Sequence, residues 1–159
     1  MLLRSLLIVL LLGACAEEAA PGGVTGEPPA DQTATLELRS SEEAPEGILT
    51  WDGKSYDAEL GTHCWTTQCM DFVGPPVPTT FAPVPGDLEI ELTGDGQAES
   101  VSVGRPSEDP IGPLQDEQEV TVRNGHITLD LEPGRYILVV FATWEGQGDA
   151  VLTFGLDVA

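Results

Sequence analysis

Residues 126–144 read HITLDLEPGRYILVVFATW. Ile127, Leu129 and Leu131 alternate with Thr128 and Asp130, the period of two that marks a strand with one buried face. Pro133-Gly134 interrupts the run as a turn. Beyond it, Ile137–Ala142 is apolar at every position, which suits a central strand covered on both sides. Just upstream stands Asn124-Gly125, a pair that tolerates the positive φ of a tight type I′ hairpin. Residues 118–123 (QEVTVR) are therefore expected to fold back on 126–131.

The same pattern extends outward. Leu88, Ile90 and Leu92 share one face of 87–93, and Leu152, Phe154, Leu156 and Val158 line one face of 149–158. Further candidate strands are 33–40, 47–51, 54–60, 98–104 and 135–144, with Asp52-Gly53 as a second hairpin turn. No long stretch repeats apolar residues at helical spacing. The expectation is an all-β domain, an antiparallel sandwich of about 7–9 short strands. Leu131–Tyr136 resembles the tyrosine corner of immunoglobulin-like sandwiches, which implies that the Tyr136 hydroxyl bonds backbone across a strand connection. The alternative is a plain Pro-Gly turn with a core tyrosine. The inter-sheet cysteine pair of antibody domains is missing, since Cys64 and Cys69 stand too close in sequence. Residues 73–86 (VGPPVPTTFAPVPG) cannot form a central strand, because proline offers no N–H to a ladder; an extended crossing on the surface or along an edge is expected. Residues 105–117 read as a second polar loop.

At the other end the chain reads MLLRSLLIVLLLGAC. Arg4 supplies a positive start and Leu6–Leu12 an apolar stretch. That stretch is too short for a stable spanning helix, which needs about 20 apolar residues. Leu12-Gly13-Ala14-Cys15 resembles a lipobox. The resemblance implies a signal peptide over 1–14, cleavage before Cys15 and diacylglycerol on its thiol: small Gly13 and Ala14 admit the peptidase, and only a thiol is alkylated. More than one acyl chain anchors stably where a single chain would not. The expected location is the cell envelope, lipid-anchored on the extracytoplasmic side of a membrane. Residues 15–32 then form a tether of Pro, Gly and acids that cannot bury enough surface to fold, leading to a single domain over 33–159.

Six basic residues stand against 27 acidic ones, a formal net charge of −21 at pH 7. Such a surface repels phosphate backbones, so nucleic acid is excluded as a partner. It also repels anionic headgroups, so the body should stand off the bilayer that holds its N-terminus. The acidity reads as solubility or salt adaptation, or as affinity for a cationic partner or Ca²⁺. No ordered Asp/Asn-rich calcium loop supports the last.

With Cys15 consumed by lipid, Cys64 and Cys69 form an even pair in an oxidising compartment. The four residues between them can turn and bring the Cα atoms within bridging distance, so a disulfide is expected. A copper site is the alternative: His63, Cys64, Cys69 and Met70 are soft or borderline ligands gathered in a run of eight. Pairing of the two thiols would dismantle it. Thiol redox chemistry is disfavoured by the spacing, which is not C-x-x-C. Gly61–Asp71 (GTHCWTTQCMD) resembles the G-x-x-C-W-x-x-x-C-x-D signature of an uncharacterised family of exported bacterial lipoproteins, in which it precedes a Pro-rich stretch and a sandwich tail. The ending here, Pro133–Tyr136 through Trp144, Gly148-Asp149 and Phe154, is similar too, so the resemblance covers 47–159. It implies a fold and a location but no activity. The family commonly carries an aromatic where His63 stands, which counts against that histidine as a ligand.

Catalysis is not expected. His63 and His126 lie far apart, and no nucleophile elbow, H-E-x-x-H pair or phosphate-cradling glycine loop occurs. No cofactor is implied. Trp51 and Trp144 read as packing residues. Trp65, inside a small cystine loop, cannot bury itself locally: it either folds back on the sandwich or is presented as an aromatic anchor. The expected contact surface is the 61–72 loop, with Trp65, His63 and Met70 meeting an envelope protein or a small ligand. Extracytoplasmic copper or calcium binding and a purely structural envelope role are the alternatives.

Overall fold

Alternating apolar residues in this chain close into two facing sheets. The computed structural model describes residues 33–109 and 111–159; the segments read as signal peptide (1–14) and tether (15–32), with Cys15, lie outside them. The strands in chain order are β1 (Thr33–Arg39), β2 (Glu46–Trp51), β3 (Lys54–Asp57), β4 (Glu59–Trp65), β5 (Gln68–Met70), β6 (Phe81–Val84) and β7 (Asp87–Gly94). They continue with β8 (Gln97–Arg105), β9 (Gln115–Val120), β10 (Val122–Arg123), β11 (His126–Asp130), β12 (Gly134–Trp144) and β13 (Gly148–Val158). The first sheet runs β10-β11-β7-β1-β2-β3 and the second β5-β4-β13-β12-β8-β9, with β6 joined to the end of β13. One side chain in two points inward. Leu36, Leu38, Ile90 and Ile127 from the first sheet meet Leu138, Val140, Phe154 and Leu156 from the second in one apolar cluster.

The β-sandwich is as expected, but the described residues form thirteen strands rather than seven to nine. Nor is it purely antiparallel: β1 runs parallel to β7, and β6 parallel to β13. Two segments that read as single strands pass from one sheet to the other. Residues 54–60 divide at Ala58, whose N–H donates to Gly47 O at 2.8 Å; β3 closes the first sheet and β4 joins the second. Residues 118–123 divide at Thr121 in the same way, between β9 and β10. Val120 and Val122 both reach the core, so apolar alternation persists while the hydrogen-bonding partner changes, as at the corners of packed sheets.

Both hairpin turns are as read. Asp52-Gly53 and Asn124-Gly125 have positive φ at both central residues, the requirement of type I′. Tyr136 is a correction to the tyrosine-corner expectation. It is buried, and its hydroxyl accepts from the Arg105 guanidinium at 2.8 Å instead of bonding backbone. The same guanidinium lies 4.8 Å from the ring centroid.

The Pro-rich segment crosses the outer face of the second sheet before β6 docks on β13. Pro83 sits in that edge pairing, where a missing N–H costs no ladder bond. Gly155 lets the crossing approach: a Cβ there would lie 2.4 Å from Thr80 O. Thr153, fully buried on this outer face, donates to Pro76 O at 2.9 Å, and Thr79 Oγ1 donates to Glu59 Oε1 at 2.9 Å. The segment after β8 is shorter as a loop than expected, because β9 already begins at Gln115. Its Leu114 is buried outside the main core.

Candidate functional site

The cysteine motif forms an edge hairpin. Cys64 and Cys69 are cross-strand partners on β4 and β5, disulfide-bonded with Cα atoms 4.0 Å apart. Closing so small a loop stabilises by about 2 kcal/mol on the chain-entropy account. Thr66 at the tip has φ 53°, a strained value for a β-branched residue. Its N–H donates to Gln147 O at 2.7 Å. The turn before β13 supports the hairpin from the other side, at Gly148, where a Cβ would stand 1.9 Å from Cys64 O.

Trp65 is not presented to solvent. It is 3% exposed, its indole N–H donates to Ser41 O at 3.1 Å, and its ring meets Trp144 edge-on with centroids 5.3 Å apart. Such a pair contributes about 0.5–1.5 kcal/mol beyond its buried area. The anchor expectation for Trp65 is therefore corrected: the strand alternation that leaves the cystine outside turns this indole inward. Trp51 and Trp144 are buried as well. His63 and Met70 face each other across the hairpin register. His63 is half-buried with Nδ1 2.8 Å from Gly61 O, and Met70 is 54% exposed. The disulfide removes both thiolates from this group. Among the described residues no cluster of three or more His, Cys, Asp or Glu side chains is gathered at metal-binding reach. His126 sits on the opposite sheet, 3.1 Å from Glu89 Oε1.

The hairpin leads into a groove that sequence reasoning missed. A bulge at Gly61-Thr62 opposite Val151 leaves Thr62 on the outer face, where its hydroxyl accepts from the Phe72 N–H at 3.0 Å. This fixes Phe72 at the lip of a cavity of about 530 Å³ floored by Val139 and Val151. Pro75 lines one wall, and Ile111 and Leu114 the other. The walls meet near Gly74, where a Cβ would lie 3.1 Å from Ile111 O. Phe72 and Ile111 are exposed, as is Val73 next to Phe72 in the chain. At the rim, Asp116 takes φ 50° in a bulge opposite Gly104, and the next residue, Glu117, accepts from Ser102 Oγ at 2.6 Å. The signal for this groove was Phe72-Val73, Ile111 and Leu114, apolar residues in loops with no strand period to explain them.

At the tip of the β7–β8 hairpin a carboxylate is held by Ser40. The Ser40 hydroxyl donates to Asp95, and the Ser40 N–H does so at 2.9 Å. The Ser40 hydroxyl first draws the Asp95 carboxyl below the usual range; partial desolvation opposes it, and backbone N–H groups add to the lowering. Glu37 is likewise lowered, first by its hydrogen bond from Arg39 at 2.6 Å. No protein-family model, curated protein or solved structure matches the chain. What the fold and site define is a class: an acidic β-sandwich with a cystine-braced edge and an apolar groove on one outer face.

Proposed function

We propose that the chain is a lipid-anchored, extracytoplasmic binding module that takes a partner in the groove beside the cystine hairpin. Anchoring rests on the lipobox-like Leu12–Cys15, and membership of the exported lipoprotein family on the Gly61–Asp71 signature. Binding rests on one observation. On a surface dominated by carboxylates, exposed Phe72 and Ile111 stand at the mouth of one concavity floored by Val139 and Val151. A concavity of this size falls in the range of about 300–1,000 Å³ typical of ligand sites, and grouped exposed apolar residues mark interaction surfaces where scattered ones do not.

Two experiments test the reading. A benzophenone side chain placed at Phe72 in the anchored protein should, on irradiation of whole cells, give a discrete crosslinked species that the same group at Lys54 does not give. Equal crosslinking from both positions, or none from Phe72, rejects the groove as the contact. Cys15→Ala should move the protein out of the membrane fraction; retention there rejects the anchor.

A further inference from the structure

Resting on that reading, we propose that the groove's occupant is a short extended peptide segment of a partner protein that alternates apolar with Lys or Arg side chains. The floor and walls call for apolar groups: Val139, Val151, Phe72, Pro75, Ile111 and Leu114. Around them the sheet register lays out carboxylates. Val139 stands opposite Ser102, and Ser102 opposite Glu119. Glu117 lines the groove itself. Two rows beyond Val139 on the same face, Thr143 is paired with Asp149 and donates to Glu99 Oε1 at 2.9 Å. Asp71 follows β5 directly. The cation that register puts on this face, Arg135, is opposite Asp157 at its far end, 4.9 Å from the Phe81 ring.

An apolar floor inside a ring of negative charge selects against anionic and purely polar ligands alike. Opposite charge on the occupant speeds its encounter and fixes its register, while the floor supplies affinity through buried area. A second copy of the chain is disfavoured as occupant, because two bodies of net charge −21 repel. A segment in extended form presents alternate side chains to opposite sides, so its apolar set can face the floor while its cations reach the carboxylates at the rim.

The test is calorimetric titration of the soluble domain with three eight-residue peptides: alternating Leu and Lys, alternating Ser and Lys, alternating Leu and Glu. The Leu/Lys peptide should bind saturably at one site, with the other two weaker by about tenfold or more. Ile111→Ser and Glu117→Gln alter exposed positions, and the amide oxygen that replaces the Glu117 carboxylate can still accept from Ser102. Each should weaken the Leu/Lys peptide with melting temperature unchanged, whereas Glu91→Gln on the opposite sheet should not weaken it. Added NaCl should weaken it further. Equal binding of the Ser/Lys peptide would mean mere attraction to an acidic surface, and equal binding of the Leu/Glu peptide would mean an apolar site without charge selection; either overturns the proposal. So does a self-associated species in sedimentation that is lost in Ile111→Ser. If the benzophenone at Phe72 captures a partner in cells and the Leu/Lys peptide does not bind, the peptide chemistry is wrong and the binding-module reading stands. If Phe72 captures nothing, that reading falls first.

Discussion

On the outer face of the first sheet, Glu89, Glu91, Thr128 and Asp130 meet solvent directly. On the outer face of the second sheet, Ile137 and Thr153 are fully buried, although both point away from the apolar cluster between the sheets. The difference lies in what crosses each face. The Pro-rich segment and residues 111–114 lie over the second sheet, and the gap between them is the groove. A chain that alternates apolar and polar residues can leave a sheet face bare. One whose central strand is apolar at every position must find a second cover.

That contrast can be broken most severely at Ile137. Ile137→Ala should destabilise by about 2–5 kcal/mol, as for a core residue, while Glu91→Ala on the bare face should stay within about 0.5 kcal/mol. Urea melts compare the two, and similar small effects would mean that the cover is not packed. Next in size is the cystine. Cys64→Ser with Cys69→Ser should cost about 2 kcal/mol and shift Trp fluorescence as the Trp65–Trp144 contact loosens; unchanged melting and emission would show that the hairpin holds without its bridge. Thr153→Val should cost about 1 kcal/mol by removing the hydrogen bond to Pro76, and speed proteolysis within 73–80 with no change elsewhere.

The smallest expected effect is electrostatic. Asp95 and Glu37 have lowered folded-state pKa values. Such groups contribute stability that is present above the ordinary carboxylate pKa, about 4, and is lost as pH falls through their depressed values. Both side chains are exposed, so solvent screens the effect. Asp95→Asn should flatten the acid limb of the stability profile below about pH 4 and leave neutral pH nearly untouched. Over the whole surface, added NaCl should raise the melting temperature by screening self-repulsion; a flat response would count against that repulsion.

How legible all this was follows from how local each signal is. Asn124-Gly125 and Asp52-Gly53 announce their turns because positive φ is a property of two residues. The alternation of Leu88, Ile90 and Leu92 announces a half-buried strand for the same reason. Ala58 and Thr121 announce nothing, since the sheet a strand joins depends on partners far along the chain. The β4–β5 hairpin read as a loop because its strained Thr66 is held by Gln147, more than eighty positions away. Trp65 left two fates open in the sequence, and Ser41 and Trp144 decide between them. The groove was invisible because its floor comes from β12 and β13 and its walls from loops that carry no period.

Methyl NMR of the domain, titrated with the Leu/Lys peptide, tests the two-face account most directly. Val139, Val151 and Ile111 methyl signals should shift together and saturate, while Ile48, half-buried on the outer face of the first sheet, stays still. Shifts of equal size at Ile48, or none at Val139 and Val151, would contradict it.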